Sequence, residues 1–107
     1  MTPLPSPGGD GLQESVRRQI RDILAACPRV VRVVLFGSRA MGTHSPSSDV
    51  DVVLYGKELT LDDLGALTES LADLPLPQRV DLILGDRLES PELREHIARH
   101  GVEWLRR

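Results

Sequence analysis

Apolar residues recur at two different spacings along this chain, and the two spacings predict different elements. Near the start, an apolar residue returns every three or four positions, which is the period of a helix that buries one face. The residues on this stripe are Leu12, Val16, Ile20, Ile23, Leu24 and Cys27. They predict an amphipathic helix from Gly11 that Pro28 ends, because proline lacks the amide hydrogen that a helix interior needs.

The ten residues before this helix have a different composition. Residues 1–10 contain three prolines and two glycines, which interrupt both helices and strands. We therefore predict a flexible tail over residues 1–10 and one folded domain over residues 11–107, a length typical of a single domain.

Three later stretches have the pattern of β-strands. Residues 30–36 are almost entirely apolar, as expected of a strand that is buried on both faces. Residues 49–55 and 79–84 alternate between apolar and polar positions, which is the period of a strand with two unlike faces. Between the first two strands we predict a short helical turn over residues 38–42 and a loop over residues 43–48.

Leucine spacing and capping residues predict two more helices. One begins after Thr60, which forms a capping-box sequence with Asp63. The other begins at Ser90 and ends near His100. Residues 102–105 predict a short apolar extension that packs on the sheet. The resulting order is helix, strand, strand, helix, strand, helix. It predicts an α/β (α+β) domain in which a small mixed sheet carries its helices on one face.

Two acidic residues interrupt the second predicted strand. Asp49 and Asp51 are two positions apart, so their side chains share one face of a strand. Because like charges repel each other and resist burial, a fold keeps such a pair where a cation neutralises it. Carboxylate oxygens favour a hard cation, Mg²⁺ above all. Asp81 holds the equivalent alternating position in the next strand and can reach the same face.

The turn between the first strand and the short helix is a candidate phosphate site. Gly37 permits a tight turn with close backbone approach, and Ser38 offers a hydroxyl and an amide to a phosphate. An ordinary strand-to-helix turn is the alternative, and the downstream acids favour the phosphate role. Arg39 has two interpretations, a contact to the nucleotide phosphate or an exposed arginine of the helical turn.

Together these residues resemble the polymerase-beta-like nucleotidyltransferases. A Gly-Ser turn at a strand end, a short insert and Asp-x-Asp on the next strand form the signature of that family. The version in this chain, over Gly37–Thr43 and Ser48–Asp51, is most similar to the minimal nucleotidyltransferases of prokaryotes. That group includes antitoxins paired with HEPN toxins. The resemblance covers most of the chain and implies the catalytic palm of the family as the fold.

The resemblance also implies a reaction. It implies Mg²⁺-dependent transfer of a nucleoside monophosphate, AMP from ATP, to a hydroxyl, here a tyrosine of a partner HEPN toxin. In the family the first two acids bridge two metal ions, and the third binds the ion that activates the nucleophile and is a candidate acceptor of its proton. We carry these roles onto Asp49, Asp51 and Asp81. Two such ions, about 3.5–4 Å apart, stabilise both the attacking and the leaving oxygen.

Two other functions remain open at this point. The first is a module that neutralises its partner by contact, or senses a nucleotide, without turnover. The second is transfer to a small molecule, although such enzymes usually carry an extra helical domain. All three acids are present, which favours an enzyme. The chain after the third acid is short, so we expect a partner protein, or a second copy of the chain, to complete the acceptor site.

Composition excludes several classes of protein. The net charge is −3, which argues against binding nucleic acid by broad electrostatic attraction. Cys27 is the single cysteine, so an intrachain disulfide and a multi-cysteine zinc site are excluded, and we interpret it as a buried structural thiol. No stretch approaches the roughly 18 apolar residues of a membrane span, and the start lacks the features of a signal peptide. We expect a soluble cytoplasmic protein.

Two histidines on the last predicted helix form a weaker motif. His96 and His100 lie four positions apart, a spacing that can bind a transition metal. No pattern of carboxylates or cysteines supports a zinc site there. We therefore interpret the two histidines as part of the solvated face of the helix.

Overall fold

The computed structural model describes residues 10–107, so the first nine residues of the tail predicted over residues 1–10 lie outside the described residues. Its elements are α1 (Glu14–Ala25), β1 (Arg32–Phe36), α2 (Ser38–Met41), β2 (Val50–Tyr55), α3 (Leu61–Ala72), β3 (Val80–Leu84), α4 (Pro91–His100) and β4 (Val102–Arg106). A 3₁₀ turn over Gly85–Arg87 joins β3 to α4. Within the part of the chain described here, no helix is long and apolar enough to cross a membrane.

The four strands form one mixed sheet in the order β3-β2-β1-β4. β1 is antiparallel to both β2 and β4, whereas β2 and β3 are parallel. The mixed sheet is therefore confirmed. The apolar extension predicted over residues 102–105 is a full strand, β4, and this corrects the predicted element order. Its alternation is too short to indicate a strand by itself. In the structure, residues on both sides of Trp104 pair with β1, and Trp104 itself packs in the core.

Helices cover both faces of the sheet, so the prediction of helices on one face is wrong. α1 and α3 cover one face and form the larger part of the core with alternate strand residues. α4 packs on the opposite face, where Ile97 contacts Val34 and Val53. The physical reason lies in β1, whose consecutive apolar residues are buried on both faces and need a cover on each.

Capping residues begin α3 and α4 as the sequence predicts. The Thr60 hydroxyl accepts the amide of Asp63 while the Asp63 carboxylate accepts the amide of Thr60, which is a complete capping box. Ser90 accepts the amide of Leu93 at the start of α4. α4 ends at Gly101, where a Cβ atom would lie 2.5 Å from the carbonyl oxygen of Ile97. This close approach requires a glycine.

The predicted boundary after residue 10 is too late, because Asp10 belongs to the folded domain. Asp10 is fully buried, and its carboxylate accepts hydrogen bonds from the amide of Leu12 and from the guanidinium of Arg17. Arg17 is also buried, on the inner side of α1. A buried ion pair with further hydrogen bonds holds the start of the domain against the first helix.

We expect Asp10→Ala to lower the free energy of unfolding by about 3 kcal/mol, because it leaves the buried charge of Arg17 without its main partner. Urea denaturation measures the change. Glu14→Ala is the matched control, since Glu14 pairs with the same Arg17 but its side chain is 58% exposed. Its loss should stay below about 1 kcal/mol. Equal losses in the two variants would contradict the anchoring role of Asp10.

Candidate active site

The predicted acidic residues meet at one edge of the sheet. β1 ends there at Phe36, while β2 and β3 begin there. Asp51 lies opposite Phe36 in the antiparallel pairing and opposite Asp81 in the parallel pairing. Asp49 precedes the first residue of β2. The strand register therefore brings the three acids predicted from sequence to the same edge.

Asp51 is the most enclosed of the three acids. Its side chain shares the sheet face that α4 covers, and the residue is half-buried. The pKa of Asp51 is raised above its ordinary value, first by burial and then by the charges of Asp81 and Asp49. His96 acts in the opposite direction. The carboxylate thus lies in surroundings that disfavour its negative charge.

The Gly-Ser turn lies directly against Asp51. Gly37 has φ of +80° and ψ of −158°, a conformation open essentially to glycine alone. A Cβ atom at this position would lie 2.4 Å from Oδ2 of Asp51. The sequence has a glycine here for both reasons, and the result is a turn whose backbone touches the central acid.

The other two acids are more open. Asp49 is exposed, and the Asp81 carboxylate accepts a hydrogen bond of 3.0 Å from Nε of Arg79. The Arg79 side chain is 77% exposed, so this pair adds little stability. Among residues 10–107, no three acidic, histidine or cysteine side chains are arranged to hold a metal ion. The backbone register nevertheless brings all three acids to one edge.

Arg39 is buried against the loop between α2 and β2. It is only 1% exposed, so the interpretation as an exposed arginine is wrong. Its guanidinium donates to the carbonyl of Asp10 at 2.8 Å and to that of Ser48 at 3.0 and 3.1 Å, with longer bonds to Ser45 and Pro46. Through these bonds Arg39 holds the loop that leads into Asp49, and its contact with the nucleotide phosphate stays a prediction.

His96 is a residue of this edge that the sequence interpretation missed. It is half-buried, and its Nε2 accepts the backbone amide of Gly37 at 2.9 Å. Its ring also meets Phe36 edge to face. The solvated face predicted for this helix therefore holds for the exposed His100 but not for His96. The available signal was helical spacing, because His96 lies three positions after the inward-facing Leu93.

Comparison with known proteins identifies the family. A family model described as polymerase beta, nucleotidyltransferase matches residues 18–107. This chain belongs to that nucleotidyltransferase family. The mixed sheet with its helices is the fold of the family, as the resemblance in the motif implied. A search of curated protein sequences finds no match to this chain.

Several solved structures are similar to this chain. One, provisionally described as a minimal nucleotidyltransferase, is 34% identical with a TM-score of 0.65, over 83% of this chain and 92% of that chain. A toxin–antitoxin structure with AMP-PNP is 27% identical with a TM-score of 0.67, over 83% and 73%. A complex of the tri-AMPylated Shewanella oneidensis HEPN toxin with MNT antitoxin shares the fold, at 23% identity, a TM-score of 0.66 and coverage of 88% and 73%.

We expect Asp51→Asn to raise the melting temperature of the metal-free protein at pH 7. The pKa of Asp51 is higher in the folded than in the unfolded chain. Protonated Asp51 therefore stabilises the fold below pH 3.8, its ordinary pKa. This stabilisation is lost as the pH rises through the pKa of Asp51 in the folded chain. A neutral amide avoids that loss, so the variant should melt above the wild type. Thermal unfolding in EDTA measures the difference.

The pH dependence and a surface variant control this prediction. The advantage of Asp51→Asn should shrink as the pH falls toward about 4, because the wild-type carboxyl group then becomes neutral as well. Asp22→Asn removes the same charge from an exposed position on α1 and should change the melting temperature by less than about 1 °C. A lower melting temperature for Asp51→Asn at pH 7 would show that ionised Asp51 stabilises the fold.

Proposed function

We propose that this chain transfers AMP from ATP to a hydroxyl of a partner protein, in a reaction that requires Mg²⁺. The observation that carries the proposal is the position of Asp51, which lies opposite Asp81 and in contact with Gly37. An acid pair and a glycine-serine turn at one edge combine a site for cations with a site for phosphates. Membership of the nucleotidyltransferase family supports the same class of reaction.

Asp49, Asp51 and Asp81 are the residues that would hold Mg²⁺. The donor set fits this ion, because all three ligands are carboxylates and magnesium prefers oxygen. The raised pKa of Asp51 supports the fit, since a neighbouring cation would relieve the unfavourable charge. When bound, Mg²⁺ supplies neutralising charge to the triphosphate and makes a hydroxyl more acidic.

The chain's own residues divide the remaining tasks. The amide of Gly37 already donates to His96, so we assign phosphate binding to the amide and hydroxyl of Ser38. In the reaction, the acceptor oxygen bonds to the α-phosphorus of ATP. The bond from that phosphorus to the bridging oxygen breaks, and pyrophosphate leaves with the electron pair. The hydroxyl proton passes to Asp81. The Arg79 side chain that pairs with Asp81 is exposed, so this ion pair adds little to hold the carboxylate in place.

The proposed acceptor is a tyrosine of a HEPN-family toxin encoded beside this chain. The 27% identical toxin–antitoxin structure was determined with AMP-PNP, which supports ATP as the nucleotide. The Shewanella complex, which shares the fold, contains an AMPylated HEPN toxin and supplies the precedent for a protein acceptor. Exposure of Asp49 and partial exposure of Asp81 are consistent with an acceptor that arrives from a second chain.

The test combines the purified chain, Mg²⁺, ATP labelled on its adenine, and the HEPN-family protein encoded by the neighbouring gene. We expect label on that protein, its loss in EDTA, and a tyrosine as the modified residue by mass spectrometry. Asp49→Asn and Asp51→Asn should each slow transfer by at least about 100-fold, since each removes a charge that the reaction needs. Asp22→Asn, exposed on α1, is the matched control and should transfer at the wild-type rate.

Three results would contradict the proposed acceptor in different ways. A stable complex of the two proteins with no label on either would favour a module that neutralises its partner by contact. Label that appears only on added small hydroxyl compounds would favour a small-molecule acceptor. Label on the chain itself would identify a second copy of this chain as the acceptor.

A further inference from the structure

A single hydrogen bond connects α4 to the glycine-serine turn. The backbone amide of Gly37 donates to Nε2 of His96 at 2.9 Å, across 59 positions of the chain. The bond is partly buried. Since His96 is not one of the acids and cannot itself bind an anion through an accepting nitrogen, the proposed reaction gives it no direct task.

The ring of His96 is held in place by its neighbours. Phe36 meets it edge to face, with ring centroids 6.3 Å apart and planes at 78°. On the other side lies His100, one helical turn later, with its centroid at 5.3 Å. These contacts, with the half-buried position on α4, restrict the imidazole to one orientation. Nε2 accepts from the Gly37 amide, so the ring carries its proton on Nδ1.

Gly37 needs such an anchor more than most residues do. Its φ of +80° is a conformation that glycine leaves easily, because glycine has the widest choice of backbone angles. A change in the orientation of this residue would move the amide and hydroxyl of the next residue, Ser38. It would also change the contact of the Gly37 backbone with Asp51. An acceptor on the amide of Gly37 restricts both movements.

We propose that His96 is a positioning residue that fixes the Gly37–Ser38 turn in the orientation that binds the nucleotide phosphates. The inference rests on the proposed function, since it assigns Ser38 to the phosphates. The role is carried by the accepting nitrogen, and the aromatic contacts only orient the ring. The turn holds the phosphates both before and during the reaction. Loss of the hydrogen bond to His96 should therefore weaken nucleotide binding and leave the rate of transfer from the bound complex nearly unchanged.

Calorimetric titration of the full chain with AMP-PNP and Mg²⁺ tests this role without the partner. His96→Leu removes the acceptor and should raise the dissociation constant by roughly five- to tenfold, the value of one hydrogen bond. In His96→Gln the side-chain oxygen can lie near the position of Nε2, so binding should stay within about twofold of wild type. Arg99→Leu, on the same helix and exposed, is the matched control and should bind as wild type does.

A second readout follows the bond itself. In the proton–nitrogen spectrum of the chain without nucleotide, the Gly37 amide should shift and exchange faster with solvent in His96→Leu than in wild type. It should keep its position in Arg99→Leu. All titrations are done well below the lowest melting temperature of the four proteins, so that a loss of stability does not appear as a loss of binding.

Each outcome decides the inference. Equal affinities of wild type and His96→Leu would overturn it. An affinity of His96→Gln as low as that of His96→Leu would overturn it as well, because ring packing and not the acceptor would then matter. A wild-type chain that binds no AMP-PNP contradicts the proposed function and the phosphate role together. The hydrogen bond from the Gly37 amide to His96 would then have only a structural role.

Discussion

Parallel pairing of β2 with β3 places Asp51 opposite Asp81, and the repulsion between these like charges governs the rest of the edge. Two carboxylates on neighbouring strands repel each other, and a third acid, Asp49, adds its charge from the residue before β2. Backbone hydrogen bonds of the sheet fix this arrangement, so the repulsion cannot be relieved by moving a strand. A bound cation relieves it, and the proposed reaction uses such a cation.

Polar anchors from three other elements hold the segments around these acids. Arg39 of α2 donates to the loop carbonyls up to Ser48, the residue before Asp49. The same guanidinium bonds to the carbonyl of Asp10, which is itself ion-paired with Arg17 of α1. From the opposite face, α4 supplies the bond to Gly37. Both segments that would meet the nucleotide are therefore tied to the folded domain by buried or partly buried hydrogen bonds, which are costly to break.

The sequence predicts the elements whose signals are local. Strand alternation around Asp51 and Asp81, the capping box at Thr60 and the turn at Gly37 all depend on residues a few positions apart. Features set by distant contacts were missed. The strand β4 depends on pairing with β1, and the roles of Arg39 and His96 depend on partners 29 and 59 positions away. The spacing of residue types along the chain does not indicate such distant partners. Likewise, the proline-rich composition before Asp10 does not indicate the buried ion pair of Asp10 with Arg17.

The central claim is that Asp49, Asp51 and Asp81 bind the metal that the nucleotide brings. The most direct measurement is a crystal structure of the chain with AMP-PNP and Mn²⁺, a substitute for Mg²⁺ whose anomalous scattering locates the ion. The account predicts an anomalous peak within about 2.3 Å of carboxylate oxygens of Asp51 and at least one other of the three acids, with the phosphates beside Ser38. A nucleotide bound there with no anomalous peak at the acids, or a peak at a different edge of the sheet, would contradict it.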